Sequence, residues 1–432
     1  MIDLLLIALY ALPLAVVMAI YLGRRRRRDR VGEARWNEAV ASGLTEPASL
    51  HSVVNRLICM GSGACVRACP EGALGIVRGK AHLVNPSLCI GHGACAAACP
   101  TEAITLVWGT LRRGIDIPYV EPTFETNVRG IYIAGELGGM GLIRKAADQG
   151  RQAIESIAKA RHSGDAFDVV IVGAGPAGIA STLTAMQHKL RFLTIEQEPN
   201  LGGTVYHYPR NKVVMTDPLR LPLAGLVQLK RAVKEELLET WQGIVDRHAV
   251  PIRFGERLEG IVPMERGFTV RTSRGEYRAR TVLLAIGRRG TPRELGVEGE
   301  SLPKVVYRMI DAEQYDGQRV LVVGGGDAAV EAAVQLAAQP DTRVTLVHRG
   351  KAFDRIKAKN RELLAETERS GRLSTLLRTR VVRIADHEVQ LDQDEHPISL
   401  DNDAVIVCAG GVLPTPMLKE LGIRVETKYG TA

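Results

Sequence analysis

The sequence predicts an α/β protein with two nucleotide-binding domains, preceded by a small cysteine-rich α+β domain and one transmembrane helix. Three observations carry this. A short apolar strand runs into a glycine-rich turn twice, at Asp168–Gly178 and at Arg319–Ala329. A cysteine motif occurs twice between Cys59 and Cys99, and an apolar run, Ile2–Leu22, opens the chain.

The 432 residues are enough for two or three domains with their own cores. Apolar residues at 46% and charged residues at 24% are ordinary for a globular protein, whereas aromatics at 4% are too few for a base-stacking platform. Of the net charge of +8, the strip Arg24–Arg30, six arginines around Asp29, accounts for +5. What remains is too small and scattered for a nucleic-acid footprint, and nucleic acid is excluded as a partner.

Ile2–Leu22 carries one charge, Asp3, and has the length of a membrane-crossing helix. Arginines follow it, so the positive-inside rule expects a single-pass anchor in the cell membrane with the catalytic body in the cytoplasm. A cleaved signal peptide is the competing reading, but it requires basic residues before the apolar run. The stretch from Gly32 to Pro47 reads as a polar linker.

The first cysteine motif is Cys59-Met-Gly-Ser62-Gly-Ala-Cys65-Val-Arg-Ala-Cys69-Pro70, and the second is Cys89-Ile-Gly-His92-Gly-Ala-Cys95-Ala-Ala-Ala-Cys99-Pro100. Six clustered cysteines in a long chain point to metal ligation and not to a disulfide scaffold. The doubled C-x5-C-x3-C-P spacing does not suit zinc. Each copy resembles the bacterial ferredoxin run C-x2-C-x2-C-x3-C-P with its second cysteine replaced. The resemblance implies crossed ligation. One iron–sulfur centre would take Cys59, Cys65 and Cys99 with Ser62 nearby; the other would take Cys89, Cys95 and Cys69 with His92 nearby. Three thiolates per centre suit a three-iron cluster, or a four-iron cluster whose last iron takes His, Ser, water or nothing. His92 is the stronger extra ligand, because an imidazole ligates iron more readily than a serine hydroxyl.

The strand Asp168–Val172 leads into Gly173-Ala-Gly175-Pro176-Ala177-Gly178 and a helix. Such glycines allow a tight turn, close approach of pyrophosphate, and helix packing, and the helix N-terminus faces the phosphates. The next strand ends on Glu196, an acid placed to accept hydrogen bonds from a ribose. Gly202-Gly203-Thr204 follows, at the place where two-nucleotide flavoproteins let backbone approach FAD.

The second strand, Arg319–Val323, leads into Gly324-Gly-Gly326-Asp327-Ala328-Ala329. Its following strand ends not on an acid but on His348 and Arg349, with Lys351 and Arg355 beyond. Basic side chains there suit a 2′-phosphate, which favours NADP over NAD.

Residues 119–432 resemble the thioredoxin reductase-like flavoproteins, whose C-terminal signature has the form T-x-V-x-G-I-Y-x-A-G-D. Here it reads Thr126-Asn-Val-Arg-Gly-Ile131-Tyr-Ile-Ala134-Gly135-Glu136, ahead of the first glycine-rich turn, with Glu136 for the family's Asp. A circularly permuted order is therefore expected, with Gly135 and Glu136 on the flavin. The family's C-x-x-C dithiol is absent, and Cys408 reads as a buried core thiol. This resembles the dithiol-free branch of ferredoxin–NADP reductases and bacillithiol disulfide reductases, the latter also through Tyr206-His-Tyr208-Pro-Arg210.

The expected domains are an anchor (1–23), a basic strip and linker (24–47), a ferredoxin-like iron–sulfur domain (48–108) and a displaced segment of the FAD domain (109–158). A Rossmann-like FAD domain (159–288), a Rossmann-like NAD(P) domain (289–400) and a return to the FAD domain (401–432) follow. The resemblance implies an enzyme that moves electrons between NAD(P)H, FAD and two iron–sulfur clusters. No acid–base catalytic residue is assigned. The alternatives are a small-disulfide or quinone reductase, or a redox sensor. The expected partners are an external donor or acceptor (ferredoxin, quinone or small disulfide), the membrane, and a second copy of the chain.

Overall fold

The computed structural model describes residues 2–41, 45–47, 50–89, 91–139, 141–159, 166–208, 210, 212–215, 219–228, 231–288, 290–353 and 356–431. The chain divides into two compact units. One holds residues 1–115, 352–357 and 428–432; the other holds residues 116–351 and 358–427.

The first unit opens with one helix, α1 (Ile2–Ala41), which has Pro13 inside it. The expected membrane anchor is overturned: among the described residues no helix is long and apolar enough to cross a membrane. The apolar stretch fills only about the first half of this helix. The helix then continues unbroken through Arg24–Arg30 and into the stretch read as linker. The expected placement in the cell membrane with a cytoplasmic body rested on that anchor and falls with it.

The C-terminal half of α1 packs on the cysteine domain. Gly32 permits the contact, because a side chain there would begin 2.0 Å from the Ile76 carbonyl oxygen. Trp36 meets the His82 ring edge-on at 4.6 Å, and the Asp29 carboxylate accepts a hydrogen bond from the Gly79 amide at 3.1 Å. Beneath it lie two antiparallel pairs. β1 (His51–Val54) pairs with β4 (Ile104–Val107), and β2 (Leu74–Val77) pairs with β3 (Lys80–Leu83). Two short helices, α2 (Ala64–Ala68) and α3 (Ala94–Ala97), each follow a glycine in the left-handed region, Gly63 and Gly93.

The second unit holds one mixed sheet with a parallel core and one parallel sheet. In the first, β6 (Phe167–Val172) lies between β7 (Phe192–Glu196) and β11 (Gly275–Leu284), all parallel. β8 (Arg253–Phe254) extends the sheet beyond β7, while β9 (Leu258–Met264) and β10 (Gly267–Thr272) extend it antiparallel from β11. β5 (Ile131–Ile133) adds to the far side of β11 in parallel register, Ile131 opposite Val282. The apolar β6 reads as a strand covered on both faces, and Val169, Val170 and Ile171 are fully buried.

Against this sheet lie α4 (Ile143–Lys159) and α5 (Pro176–Gln187). The stripe Ala146, Ala147, Gly150, Ala153, Ile154 and Ile157 recurs at helical spacing and is buried. Gly150 sets how close the helices come, since a side chain there would begin 2.2 Å from the Ala177 carbonyl oxygen.

The second sheet runs β12 (Val305–Val306), β19 (Ala404–Val407), β13 (Arg319–Val323), β14 (Arg343–His348), β15 (Leu373–Leu377), all parallel. α6 (Lys234–Arg247) falls between β7 and β8 in the chain order, and α7 (Asp327–Ala337) and α8 (Ala358–Arg369) accompany the second sheet. An antiparallel meander follows, made of β16 (Thr379–Ile384), β17 (Glu388–Gln393) and β18 (His396–Asp401). The last residues of this unit return to its first. Asn127 Nδ2 donates to the Gly422 carbonyl at 2.9 Å, the Tyr119 amide donates to the Arg424 carbonyl at 2.8 Å, and Thr427 Oγ1 donates to Asp116 Oδ1 at 2.7 Å.

Candidate active site and metal centres

In the second unit the turn between β6 and α5 borders a cavity of about 670 Å³. Gly173 holds φ +111°, and a side chain there would strike the Ala285 carbonyl oxygen at 2.5 Å. A side chain on Gly178 would begin 1.8 Å from the Gly173 carbonyl oxygen. Both positions are closed to anything but glycine. α5 starts on Pro176, whose missing N–H costs nothing in a first turn. Gly173, Gly175, Pro176 and Ala177 line the cavity, so the orphan amides of that turn border it. Gly178 lies behind this wall.

Glu196 is at the tip of β7 and lines the same cavity, with 6% of its surface exposed. Its Oε2 accepts the Ala174 amide at 2.6 Å and its Oε1 accepts the Glu198 amide at 3.0 Å. Burial raises its carboxyl above the ordinary range, against the pull of these two amides. Gly203 and Thr204 line the cavity, whereas Gly202 supports the turn at φ +110°. Gly135 and Glu136, in a short 3-10 turn after β5, complete the wall.

Two residues absent from the sequence reading stand in this wall. Glu256 is 1% exposed; its Oε1 accepts from Thr272 Oγ1 at 2.6 Å, and its Oε2 is buried without a hydrogen-bond partner. Arg308 bonds to His207 Nδ1, while its own Nε is buried and unpartnered. Burial lowers the Arg308 pKa. His207 Nε2 lies 3.6 Å from Glu198, and both His207 and Tyr208 line the cavity. Glu256 and Arg308 come from connections between strands, outside any glycine-rich motif, and only their charge marked them in the sequence. Orphaned polar atoms, a glycine-lined phosphate cradle and this volume fit FAD.

The second glycine-rich turn lies outside this cavity. A side chain on Gly324 would meet the Cys408 carbonyl oxygen at 2.6 Å, and Ala329 is fully buried beneath the turn. Gly326 precedes α7 in extended conformation, and Ala328 sits in its first turn. Asp327 accepts a hydrogen bond from Asn360 Nδ2 at 2.7 Å, which turns it toward α8. The His348 ring lies over the turn, about 2.1 Å from where a Gly325 side chain would begin, and Arg349 is exposed beside it. Two bare glycines with a basic strand end fit a nicotinamide nucleotide. Arg355 lies outside the described residues. Cys408 is half-buried, not the fully buried core thiol expected, because it closes β19 at the edge of this turn.

In the first unit the cysteines line two separate cavities. One has Cys59, Ser62, Cys65 and Cys99 in its wall; the other has Cys69, Cys89, His92 and Cys95. Each cavity thus draws two cysteines from one motif and the last cysteine of the other. All seven cysteines are free thiols. Burial, then the neighbouring Cys59, pushes the Cys65 thiol up to about 11. Burial and Cys89 raise Cys95 in the same way. For Cys99, burial is outweighed by amide donors at Thr101 and Ala103, and the thiol falls below its ordinary value. The Ala103 amide donates to Cys99 Sγ at 3.2 Å and the Ala81 amide to Cys59 Sγ at 3.4 Å, as around cluster-bound sulfur. Among the described residues no three His, Cys, Asp or Glu side chains converge as a single metal ion requires. Thiols ringing a space, and repelling one another when ionised, fit a polynuclear cluster better than zinc.

Two sheets that each lead into a glycine-rich turn, a flavin-sized cavity and cysteine cages define an FAD-dependent oxidoreductase with an iron–sulfur domain. Residues 170–430 match the pyridine nucleotide-disulphide oxidoreductase family, and residues 51–100 match the 4Fe-4S dicluster domain. The chain belongs to the pyridine nucleotide-disulphide oxidoreductase family. It is similar to the ferredoxin–NADP reductase of Thermus thermophilus, 32% identical over 61% of this chain and 78% of that protein. It is similar to the bacilliredoxin reductase Bdr of Bacillus subtilis, 25% identical over 60% of this chain and 82% of that one. For the ferredoxin–NADP reductase of Streptococcus gordonii, 32% identical over 46% of this chain, the match spans 60% of that protein. The fold is that of the bacillithiol disulfide reductase of Bacillus cereus, with a TM-score of 0.54 at 24% identity, covering 61% of this chain and 83% of that one.

Proposed function

We propose that this enzyme exchanges electrons between NADPH and an external one-electron carrier by way of FAD and ferredoxin-type iron–sulfur clusters. The single observation that carries the reading is the sorting of six cysteines into two cages on a chain that also holds a flavin-sized cavity without a redox dithiol. Among the described residues lining that cavity none is a cysteine.

FAD supplies the conversion between two-electron hydride chemistry and one-electron transfer. The chain's residues bind and orient. The amides of Gly175 and Ala177, on either side of Pro176, hold pyrophosphate, and Glu196 accepts from a ribose. Gly203, Thr204, Gly135 and Glu136 hold the rest of the flavin nucleotide. Gly324, Gly326, Ala328 and Ala329 cradle the nicotinamide nucleotide, with His348, Arg349 and Arg355 on its 2′-phosphate. Cys59, Cys65 and Cys99 hold one cluster, and Cys69, Cys89 and Cys95, with His92, hold another.

The same reading includes a permuted chain order, in which 109–158 completes the FAD domain. The bonds of Asn127, Tyr119 and Asp116 to 422–427 and the pairing of β5 with β11 support it, as does a family match that begins only at residue 170.

Anaerobic stopped-flow mixing with NADPH, followed by EPR, tests the function. Flavin bleaching followed by cluster reduction is the expected sequence. A second reading, reduction of a small disulfide, draws support from His207 and Tyr208 at the cavity and from likeness to Bdr. Rapid turnover on a low-molecular-weight disulfide, with no electrons in the clusters, would replace the first reading with the second.

A further inference from the structure

The two cysteine motifs repeat at thirty-residue spacing, so the segment before each can be compared position by position. Asn55-Arg-Leu-Ile58 precedes Cys59, and Asn85-Pro-Ser-Leu88 precedes Cys89. Their surroundings differ. Leu57 is 92% exposed, Ile58 49% and Met60 65%. In the second copy Pro86 is buried and Asn85, Ser87 and Leu88 are half-buried. Ser62 is also exposed, while its counterpart His92 is half-buried. Among the described residues, the Cys59 cage therefore lies under a more open apolar surface than its twin.

That surface is rimmed by cations. The guanidinium groups of Arg28 and Arg67 both reach Gly63, at 3.4 and 3.6 Å from where a side chain would begin. Arg67 Nη1 is 3.5 Å from the Ser62 carbonyl oxygen and Arg56 Nη2 is 3.5 Å from that of Val77. Arg28, Arg56 and Arg67 are all exposed. Of the nearby carboxylates, Asp29 takes the Gly79 amide and Glu33 pairs with Arg78 at 3.5 Å, which leaves the exposed Glu102 beside three arginines. An apolar centre with a basic rim recognises an apolar patch with an acidic rim. Encounters between redox proteins are small and steered by such charge.

We infer that Leu57, Ile58 and Met60, with Arg28, Arg56 and Arg67, form the docking face for an acidic one-electron carrier protein, over the cage of Cys59, Cys65 and Cys99. This rests on the cluster reading above and adds the place of exchange and the partner's charge. One electron crosses per encounter. The donor is oxidised by one electron, the acceptor is reduced by one, and no bond or proton moves.

The probe is a small acidic plant-type ferredoxin, titrated calorimetrically against the full chain at about 20 mM and about 200 mM salt. The expected result is binding that weakens with salt. In R28E/R56E it should weaken at least about tenfold, whereas L57S should weaken it with the salt dependence kept. Flavin bleaching by NADPH and the EPR spectrum should be unchanged in all three proteins. Equal affinity of wild type and R28E/R56E overturns the inference. So does equal binding of a basic cytochrome, or capture by phosphatidylserine vesicles with no binding of ferredoxin. Absence of cluster EPR signals in wild type instead sinks the parent reading, so the two failures are distinguishable.

Discussion

Cys99 shares a cavity wall with Cys59, forty positions away in the chain and in the other copy of the motif. The crossing is mutual, since Cys69 lines the cavity of Cys89 and Cys95. Each cage thus draws on both copies of the motif, taking its last cysteine from the other one.

Substitution should therefore act on the copy that does not contain it. Cys99→Ala is expected to damage the centre of Cys59 and Cys65, and Cys69→Ala the centre of Cys89 and Cys95. Iron and sulfide analysis with EPR of each variant checks this. Loss confined to the mutated copy would defeat the crossed assignment.

Glu256 carries a carboxylate oxygen in the flavin cavity wall that is buried and without a hydrogen-bond partner. An acceptor left so costs on the order of 1–3 kcal/mol until a ligand donor reaches it. Glu256→Gln should weaken FAD binding about tenfold, read from flavin fluorescence during reconstitution of the apoprotein. Glu256→Asp should restore part of the loss. Unchanged affinity in Glu256→Gln would remove Glu256 from the site.

Arg349 is exposed at the end of β14, where a dinucleotide ribose acid would otherwise stand. Arg349→Ala should raise KM for NADPH about tenfold, the worth of one charge-assisted bond, and leave KM for NADH nearly unchanged. Equal effects on both nucleotides would mean that Arg349 does not meet a 2′-phosphate.

Asp403 joins β13 to the start of β19. It takes the Arg319 amide at 2.8 Å, Nε at 2.9 Å and Nη2 at 2.8 Å. The Arg319 side chain, then its amide, holds the Asp403 carboxyl down at about 2. A depressed carboxyl contributes stability above its unfolded pKa of about 3.9 and loses it as pH falls toward the folded value. The stability difference between wild type and Asp403→Asn should be largest above pH 5 and shrink between about pH 4 and pH 2. With the side chain a third exposed, solvent screening limits the plateau to about 1 kcal/mol. Urea unfolding across that pH range measures it. A difference constant with pH would show that the ion pair is not its source.

The glycine-rich turns were legible because their requirement is local. A carbonyl 1.8 Å from a would-be side chain at Gly178 leaves only glycine, and the letters alone reveal it. The expected crossing of the cysteines came from likeness to a spacing whose last member turns away from its own loop. The apolar run at the N-terminus was misread. Hydropathy counts residues, whereas the helix that forms continues through six arginines and packs its C-terminal half on β2. His348 was read for its charge, yet its ring covers Gly325 and Gly350, a contact between turns that neither strand announces.

By itself the sequence determined the class of the protein: two glycine turns for nucleotides, six cysteines for metal, and no dithiol. These depend on residue type at short spacing, where sterics and ligand chemistry act between near neighbours. Only the tertiary structure decided that Glu256 and Arg308 line the flavin cavity and that Leu57 and Ile58 before Cys59 are more exposed than Ser87 and Leu88 before Cys89. Burial is decided by segments distant in the chain, and no local pattern encodes which of two nearly identical loops a distant segment will cover.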